Sequence, residues 1–270
     1  MAARLLSTAR ALACFAAAAG LTLDAERGAE APVVDVKLLG EAGCPFTQRL
    51  ILGALNRTLT SEGVAGALRF DFLPFGNAFF STKACPNTTY DPATRRCFNR
   101  RCGADRVAEG LPLPEDCFQG TLVCQHGRVE CEANRWMACA RKVAQVPGDE
   151  RSRASYSGYM PLVHCMTRWY GHAKVGAKSL EHIVAGCAAS TGLEWGSLAR
   201  CYGGPQGDAA IVEAAKGTPV HRVVPWLYVN GEPMEENHEH ELFKEVCNAL
   251  PPSARPQECL KELGEPLERP

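Results

Sequence analysis

The chain has 270 residues, of which 46% are hydrophobic and 22% are charged, so it contains enough apolar material for a folded core. Its formal net charge of −1 lacks the strong positive charge of a general nucleic-acid-binding protein, and no run reaches the ~18 consecutive apolar residues of a membrane-spanning helix. Fourteen cysteines are too many for an ordinary cytosolic enzyme, because reducing conditions there prevent disulfide formation. We therefore expect one large or two small disulfide-bonded domains that neither bind nucleic acid nor span a membrane.

The N-terminal segment has the pattern of a secretory signal peptide. Arginines precede a short apolar run over residues 11–23, and small residues at positions 17–20 offer cleavage points. We predict a signal peptide over residues 1–23; a mitochondrial presequence is the alternative, since this stretch contains Arg and Ser and no acidic residue. The cysteine content favours the secretory pathway. Two Asn-X-Thr sequons, at Asn56 and Asn87, are candidate glycosylation sites on that route.

Apolar patterning predicts an α/β arrangement in the first third of the chain. Residues 33–39 are β-branched and apolar, as in a buried strand, and residues 48–59 carry apolar side chains at helical spacing. Residues 68–73 are predicted to form a second strand, which Pro74 ends. A strand, a helix and a strand in this order form a βαβ unit with a parallel strand pair. The stretch from 81 to 119, rich in Pro, Arg and Asn, is predicted to be a loop region held by disulfides.

The rest of the chain is predicted to be mainly helical and to end with a second α/β piece. Helical patterns lie at residues 133–146, 154–170, 178–190 and 193–216. A strand at 223–229 is followed by the Asn230-Gly231 pair, which is a strong hairpin signal, and by a short strand at 232–234. A helix at 239–250 comes last. We expect the first and last pieces to share one sheet, with the helical middle inserted between them.

Cysteine counting indicates one unpaired thiol. Removal of the signal peptide takes Cys14 and leaves thirteen cysteines, an odd number that cannot pair fully within one chain. Cys44 lies where a predicted strand meets a predicted helix. The polarised start of that helix favours an anion, so we expect the sulfur to be partly ionised and able to attack disulfides. Thr47, one turn further on, can donate its hydroxyl to this sulfur. Spacing alone fits a structural half-cystine at Cys44 equally well.

The order of strand, Cys44, Pro45, two further residues and helix is the thioredoxin-like arrangement. In that arrangement a second cysteine usually occupies the position that Thr47 has here. A nucleophile that has lost its resolving partner is the single unpaired thiol that the odd count requires. A free thiol also permits a covalent dimer.

The segment that starts at residue 124 carries the most specific motif of the chain. Its residues are Cys124, Gln125, His126, Gly127, Glu130, Cys131 and Asn134, followed by Cys139. They resemble the C-Q-H-G-x-x-E-C-x-x-N signature and trailing cysteine of the gamma-interferon-inducible lysosomal thiol reductase (GILT) family. Segments 73–78, 164–166 and 224–231 resemble further motifs of that family, so the resemblance covers about residues 33–250.

This resemblance implies an α/β, thioredoxin-like fold over residues 33–250. A disulfide-rich, mainly helical insertion would occupy about 81–220, and residues 251–270 would form a C-terminal tail. The implied activity is reduction of disulfides in protein substrates, unfolded ones included, at acidic pH in endosomes, lysosomes or the extracellular space. The family's site has cysteines at both 44 and 47, and Thr47 departs from that pattern.

Two functions remain open because Thr47 cannot resolve a mixed disulfide. In the first, Cys44 reduces or isomerises protein disulfides in a monothiol mode, and an external thiol such as cysteine or glutathione releases the product. No other cofactor and no metal is expected. In the second, the protein is a catalytically impaired binding protein that holds partners noncovalently or by a mixed disulfide. We favour the first, since the rest of the site is intact.

A substrate-binding region is predicted beside Cys44. In thioredoxin-like folds a cis proline opposite the nucleophile lets the preceding backbone pair with an extended substrate, so we predict a cis bond between Val224 and Pro225. The alternative is a trans proline at the first residue of a strand. Phe46 and Trp226 are candidates for an apolar rim that receives unfolded substrate, with plain core packing as the alternative.

Two clusters contain metal-binding residue types, and neither is predicted to bind a metal. The first consists of Cys124, His126, Cys131 and Cys139. Its spacing is not that of a standard zinc finger, and an oxidising lumen favours disulfides. We expect His126 to orient a loop by hydrogen bonding. The second, residues 238–240, is predicted to be a solvated helix start.

Overall fold

The computed structural model describes residues 33–170 and 177–266, so the predicted signal peptide, with Cys14, lies outside the described residues. The strands are β1 (Val34–Gly40), β2 (Leu68–Pro74), β3 (Phe79–Phe80), β4 (Leu122–Val123), β5 (Trp226–Val229) and β6 (Glu232–Pro233). The helices are α1 (Pro45–Leu50), α2 (Asn56–Thr60), α3 (Glu62–Ala65), α4 (Pro92–Cys102), α5 (Ala104–Ala108), α6 (Arg128–Ala144), α7 (Arg153–Tyr170), α8 (Ala177–Thr191), α9 (Trp195–Gly203), α10 (Pro205–Gly217), α11 (Leu242–Ala249) and α12 (Gln257–Leu263). A π-helical turn, Ile51–Leu55, joins α1 to α2. None of these helices combines the length and apolar character needed to cross a membrane.

The central sheet has the strand order β2-β1-β5-β6. β1 and β2 are parallel, with Val34 opposite Leu68, and β5 is antiparallel to β1, with Leu227 opposite Leu38. β1 is largely apolar because it lies inside the sheet with both faces covered, and Leu38 and Leu39, on opposite faces, are both fully buried. The predicted βαβ unit and late hairpin therefore share one sheet. The predicted α/β sheet with a mainly helical insertion is confirmed.

Helix α6 is the centre of the helical insertion. It packs against β2 on one side and against α7, α9 and α10 on the others. Its Trp136 is buried and stacks on Tyr202 of α9, with ring centroids 3.8 Å apart. The helices predicted at 133–146 and 154–170 correspond to α6 and α7, and the helix predicted at 178–190 corresponds to α8. The long pattern at 193–216 divides into α9 and α10.

The segment from 81 to 119 is not the loop region that the sequence predicts, because it contains α4 and α5. Helix α4 begins with Pro92, whose missing N–H costs nothing in a first turn, and Asp91 caps it by accepting a hydrogen bond from the Thr94 N–H at 2.7 Å. Pro and Asp thus start a helix here. Phe98 of α4 is buried against β3, in a second core separate from that of the sheet.

Six disulfides connect these elements. They join Cys85 to Cys97, Cys102 to Cys117, Cys124 to Cys131, Cys139 to Cys201, Cys165 to Cys187, and Cys247 to Cys259. The first two close within the segment from 81 to 119, as predicted. The last joins α11 to α12, and Cys259 is fully buried. The segment predicted as a C-terminal tail therefore contributes a helix to the fold.

Candidate active site

Cys44 is the residue that precedes α1. It follows the end of β1 after a three-residue turn and has the extended backbone (φ −76°, ψ 119°) of a helix N-cap, with Pro45 at the first helical position. Every other cysteine of the described residues lies in a disulfide, so Cys44 is the free thiol of that part of the chain. Its side chain is only 5% exposed, but it lines a cavity of about 800 Å³. The sulfur is therefore reached through this cavity.

The segment that precedes β5, opposite Cys44, contains the cis proline. The Val224–Pro225 peptide bond is cis, as predicted. The Cys44 thiol donates a hydrogen bond to the Val224 carbonyl oxygen, with an S···O distance of 3.4 Å. Phe46 is 54% exposed and lines the cavity, whereas Trp226 is half-buried in β5 and does not line it. The structure thus brings Phe46, Val224 and Cys44 together and leaves Trp226 to the sheet.

Thr47 does not make the hydrogen bond to Cys44 that the sequence suggests. It is fully buried, and its Oγ1 has no hydrogen-bond partner among the described residues. The side chain faces the end of β1, where a Cβ added to Gly40 would lie 2.7 Å from Thr47 Cγ2. The third residue of the helix turns toward the sheet, so the Thr47 side chain packs against the end of β1. Thr47 is a packing residue in this structure.

The signature segment surrounds the residues that precede Cys44. Cys124 is bonded to Cys131 and Cys139 to Cys201, so these cysteines are structural half-cystines. Gln125 accepts a hydrogen bond from the Asn77 side-chain amide at 2.5 Å. Gly127 has φ +89°, a value that favours glycine, directly before α6.

Residues 41–43, here called the floor loop, are held by the side chains of α6. Asn134 Oδ1 accepts from the Ala42 N–H at 2.8 Å, and Glu130 Oε2 accepts from the Gly43 N–H at 3.0 Å. Glu130 and Asn134 are four residues apart and so lie on one face of the helix. The signature side chains therefore fix the turn that ends in Cys44, a role that the sequence reasoning assigned only in general terms to His126.

His126, which lines the cavity, and two buried carboxylates form a compact cluster. His126 Nδ1 lies 2.6 Å from Glu130 Oε2 and 3.9 Å from Glu41 Oε1. Glu41 Oε2 accepts from the Asn77 N–H, while Oε1 has no partner among the described residues. Burial and the neighbouring Glu130 carboxylate raise the pKa of Glu41 to about 8. Glu41 was missed by the sequence analysis, although an acidic residue between an apolar strand and a helix is itself a signal.

The same cluster contains the atoms most suited to hold a metal. One nitrogen of His126 and one oxygen each of Glu41 and Glu130 lie within 4.8 Å of one another. Three of the four carboxylate oxygens already accept hydrogen bonds from the protein. The donor set is therefore committed to the floor loop and its neighbours, and that no metal is bound remains a prediction.

The predicted glycosylation residues lie outside the Cys44 cavity. Asn56 is the first residue of α2 and is half-buried. Asn87 lies in the turn after Cys85, and its side-chain oxygen accepts from the Thr89 N–H at 3.0 Å. Glycosylation at both positions remains a prediction.

Comparison with known proteins connects the chain to one family. Residues 115–191 match the family model of gamma interferon inducible lysosomal thiol reductase. A gamma-interferon-responsive lysosomal thiol protein of Arabidopsis thaliana is 28% identical over 135 residues, which cover 48% of this chain and 49% of that protein. A GILT-like protein of Caenorhabditis elegans is 23% identical over 224 residues, which cover 82% of this chain and 54% of that protein. The chain thus spans about half the length of these curated relatives.

Among solved structures, the MdbA protein, a thiol-disulfide oxidoreductase from Corynebacterium diphtheriae, matches with a TM-score of 0.39 and 11% identity, over 82% of this chain and 86% of that chain. The match to the family model begins downstream of Cys44 and includes the signature segment and the helices that follow it. In that part of its sequence, the chain is similar to the gamma-interferon-inducible lysosomal thiol reductase family.

Proposed function

We propose that the protein is a thiol-disulfide oxidoreductase of the GILT type that acts through Cys44 in a monothiol mode. The observation that carries this proposal is the free Cys44 thiol, which lines a cavity opposite a cis proline while the other cysteines of the described residues are disulfide-bonded. A nucleophilic thiol beside a backbone segment that can pair with extended peptide is the arrangement needed to attack a protein disulfide.

The reaction proceeds by three exchanges. The Cys44 thiolate attacks one sulfur of the substrate disulfide, forms a mixed disulfide and releases the other substrate sulfur as a thiolate, which takes up a proton. An external thiolate then attacks Cys44 Sγ and releases the substrate as a thiol. A second external thiol frees Cys44 and leaves as the small-molecule disulfide. Two external thiols thus supply the two electrons, because Thr47 has no sulfur with which to supply them.

The Val224 carbonyl gives the substrate a way to activate the nucleophile. In the free protein this oxygen accepts the hydrogen bond from the Cys44 thiol. A substrate backbone N–H that pairs with the same segment competes for that oxygen and frees the sulfur at the moment of binding. Phe46, exposed at the cavity, supplies apolar contact for an unfolded substrate.

The six disulfides support a place in the secretory pathway, since such bonds persist in oxidising compartments. The predicted signal peptide and sequons agree with a lysosomal, endosomal or extracellular protein. The rival function, a binding protein that holds its partners without turnover, is favoured by the small exposure of Cys44 and by Thr47.

The deciding experiment measures reduction of a denatured disulfide protein at about pH 5, with cysteine as reductant. We expect turnover by the wild type, loss of nearly all catalysed turnover in Cys44→Ser, and faster turnover in Thr47→Cys, which restores a resolving thiol. Thr47→Ser is the matched control and should behave like the wild type. Equal rates for wild type and Cys44→Ser, with activity gained only in Thr47→Cys, would establish the binding protein instead.

A further inference from the structure

The wall of the Cys44 cavity contains an arginine that has no acidic partner among the described residues. Arg95 of α4 lines the cavity, and its buried Nε–H has no acceptor among the described residues. The acidic groups that interact electrostatically with Arg95 are the Tyr90 hydroxyl and the Glu41 carboxyl. Burial raises the pKa of both, to about 8 for Glu41, so both are largely uncharged at acidic pH. A half-buried guanidinium with no opposite charge beside it is stabilised when a ligand supplies one.

Arg95 is nevertheless held in place. Its Nη2 donates to His221 Nε2 at 2.9 Å and to the His221 carbonyl at 3.4 Å. Burial and the nearby guanidinium lower the pKa of His221 to about 4, so the ring is neutral near pH 5, and its Nδ1–H donates to the Pro219 carbonyl at 2.8 Å. His221 therefore orients the guanidinium without neutralising it.

Arg95 and Cys44 both contact one short segment of chain, residues 221–224. His221, which binds Arg95, is three residues before Val224, whose carbonyl binds the Cys44 thiol. Arg96 and Arg222 line the same cavity, and with Arg95 they form what we call the basic wall. Arg222 has an acidic neighbour, Glu236, at 3.4 Å, whereas Arg95 forms no ion pair within the part of the chain that the structure describes. A cavity of about 800 Å³ has the size of a small-molecule site.

We propose that Arg95 binds the carboxylate of the small thiol that resolves the mixed disulfide at Cys44. This rests on the proposed function and names the class of its reductant: a low-molecular-weight thiol with a free carboxylate. Guanidinium and carboxylate form charge-assisted hydrogen bonds, which hold the attacking sulfur at the Cys44 end of the cavity. The bound thiolate forms a bond to Cys44 Sγ as the bond from Cys44 to the substrate breaks. The departing substrate sulfur takes up the proton that the small thiol lost when it ionised.

The test follows a single exchange at Cys44. Cys44 is first loaded with a neutral thiopyridyl group, and release of thiopyridone is then measured with 3-mercaptopropionate or with uncharged 2-mercaptoethanol, each rate being corrected for its thiolate fraction. We expect the wild type to prefer the carboxylated thiol by about tenfold, the effect of one charge-assisted contact. Arg95→Gln should reduce this ratio to about one. Arg101→Gln, a matched change at an exposed position of the same helix outside the cavity, should keep it.

A second measurement needs no variant. Succinate, a dicarboxylate without a thiol, should slow the exchange of wild-type protein with 3-mercaptopropionate and leave the exchange with 2-mercaptoethanol unchanged. A wild-type ratio near one, or equal ratios in wild type and Arg95→Gln, would overturn the carboxylate site while leaving the monothiol function standing. Failure of the thiopyridyl group to load onto Cys44 of the folded protein would overturn both.

Discussion

The floor loop, which leads into Cys44, and the basic wall of the Cys44 cavity differ in how fully their hydrogen-bond donors are paired. In the floor loop, the N–H groups of Ala42 and Gly43 both donate to side chains of α6. In the basic wall, Arg95 keeps a buried donor that has no acceptor among the described residues. Paired backbone donors fix the position of the sulfur, whereas an unpaired cation keeps its interaction free energy for a ligand. The floor loop therefore positions the nucleophile, and the basic wall selects what reaches it.

The largest expected effect concerns Glu41, the one floor-loop side chain with an unpaired oxygen. Its carboxyl has a pKa of about 8 when folded and an ordinary value of 4.5. Between these values the folded state binds more protons than the unfolded state, so its stabilising contribution is complete below the ordinary value and is lost as pH rises through about 8. We expect the free energy of unfolding to fall by roughly 4 kcal/mol over this range relative to Glu41→Gln.

Urea denaturation at several pH values, in a Cys44→Ser background that prevents thiol exchange, measures this difference. Parallel stability curves for the protein with Glu41 and with Gln at that position would show that the carboxyl is not a buried neutral acid.

A smaller effect is expected when the floor loop loses one of its hydrogen bonds. Asn134→Ala leaves the buried Ala42 N–H without an acceptor, which should cost about 1–3 kcal/mol of stability and slow exchange at Cys44. The control is Arg128→Ala, which removes an exposed ion pair on the same helix and should cost less than about 0.5 kcal/mol. Equal losses of stability in the two variants would contradict the expected difference between a buried hydrogen bond of the floor loop and an exposed ion pair.

The smallest effect is expected at Thr47, whose hydroxyl is buried and unpartnered. Thr47→Val keeps the shape and removes that hydroxyl, so stability should stay level or rise by about 1 kcal/mol, with exchange at Cys44 unchanged. Thr58→Val is the matched comparison: the buried Thr58 hydroxyl donates to the Ala54 carbonyl at 2.8 Å, and its loss should destabilise by about 1 kcal/mol. Slower exchange in Thr47→Val, with its fold intact, would give the hydroxyl a role at the sulfur.

Sequence patterns predicted those elements whose buried faces are formed by residues close together in the sequence. β1 is recognisable because both of its faces are covered, and α6 and α7 because their apolar residues repeat at helical spacing. Helix α4 was missed because Pro92 and Asp91 resemble breakers when they are taken without the helix that they start. The position of Cys44 at a helix start was predicted from its immediate neighbours.

The rest of the site depends on residues that only the fold brings together. Arg95 lies in an arginine-rich helix with nothing in its local sequence to distinguish it from Arg96 or Arg101, and His221 lies in a loop without periodicity. The inward direction of Thr47 depends on the end of β1 beneath it. Such contacts join distant parts of the chain, so spacing carries no signal of them.

Helix α6, which steadies the nucleophile, is itself anchored by the bond between Cys139 and Cys201, both of which are completely shielded from solvent. The proposed function would bring the protein into contact with small thiols, which also reduce structural disulfides. Shielding prevents a thiolate from approaching these sulfurs. Under the proposed function, Cys44 could react with small thiols while this crosslink survives, and the lifetime of the protein should depend on how rarely α6 opens to solvent rather than on how often Cys44 turns over.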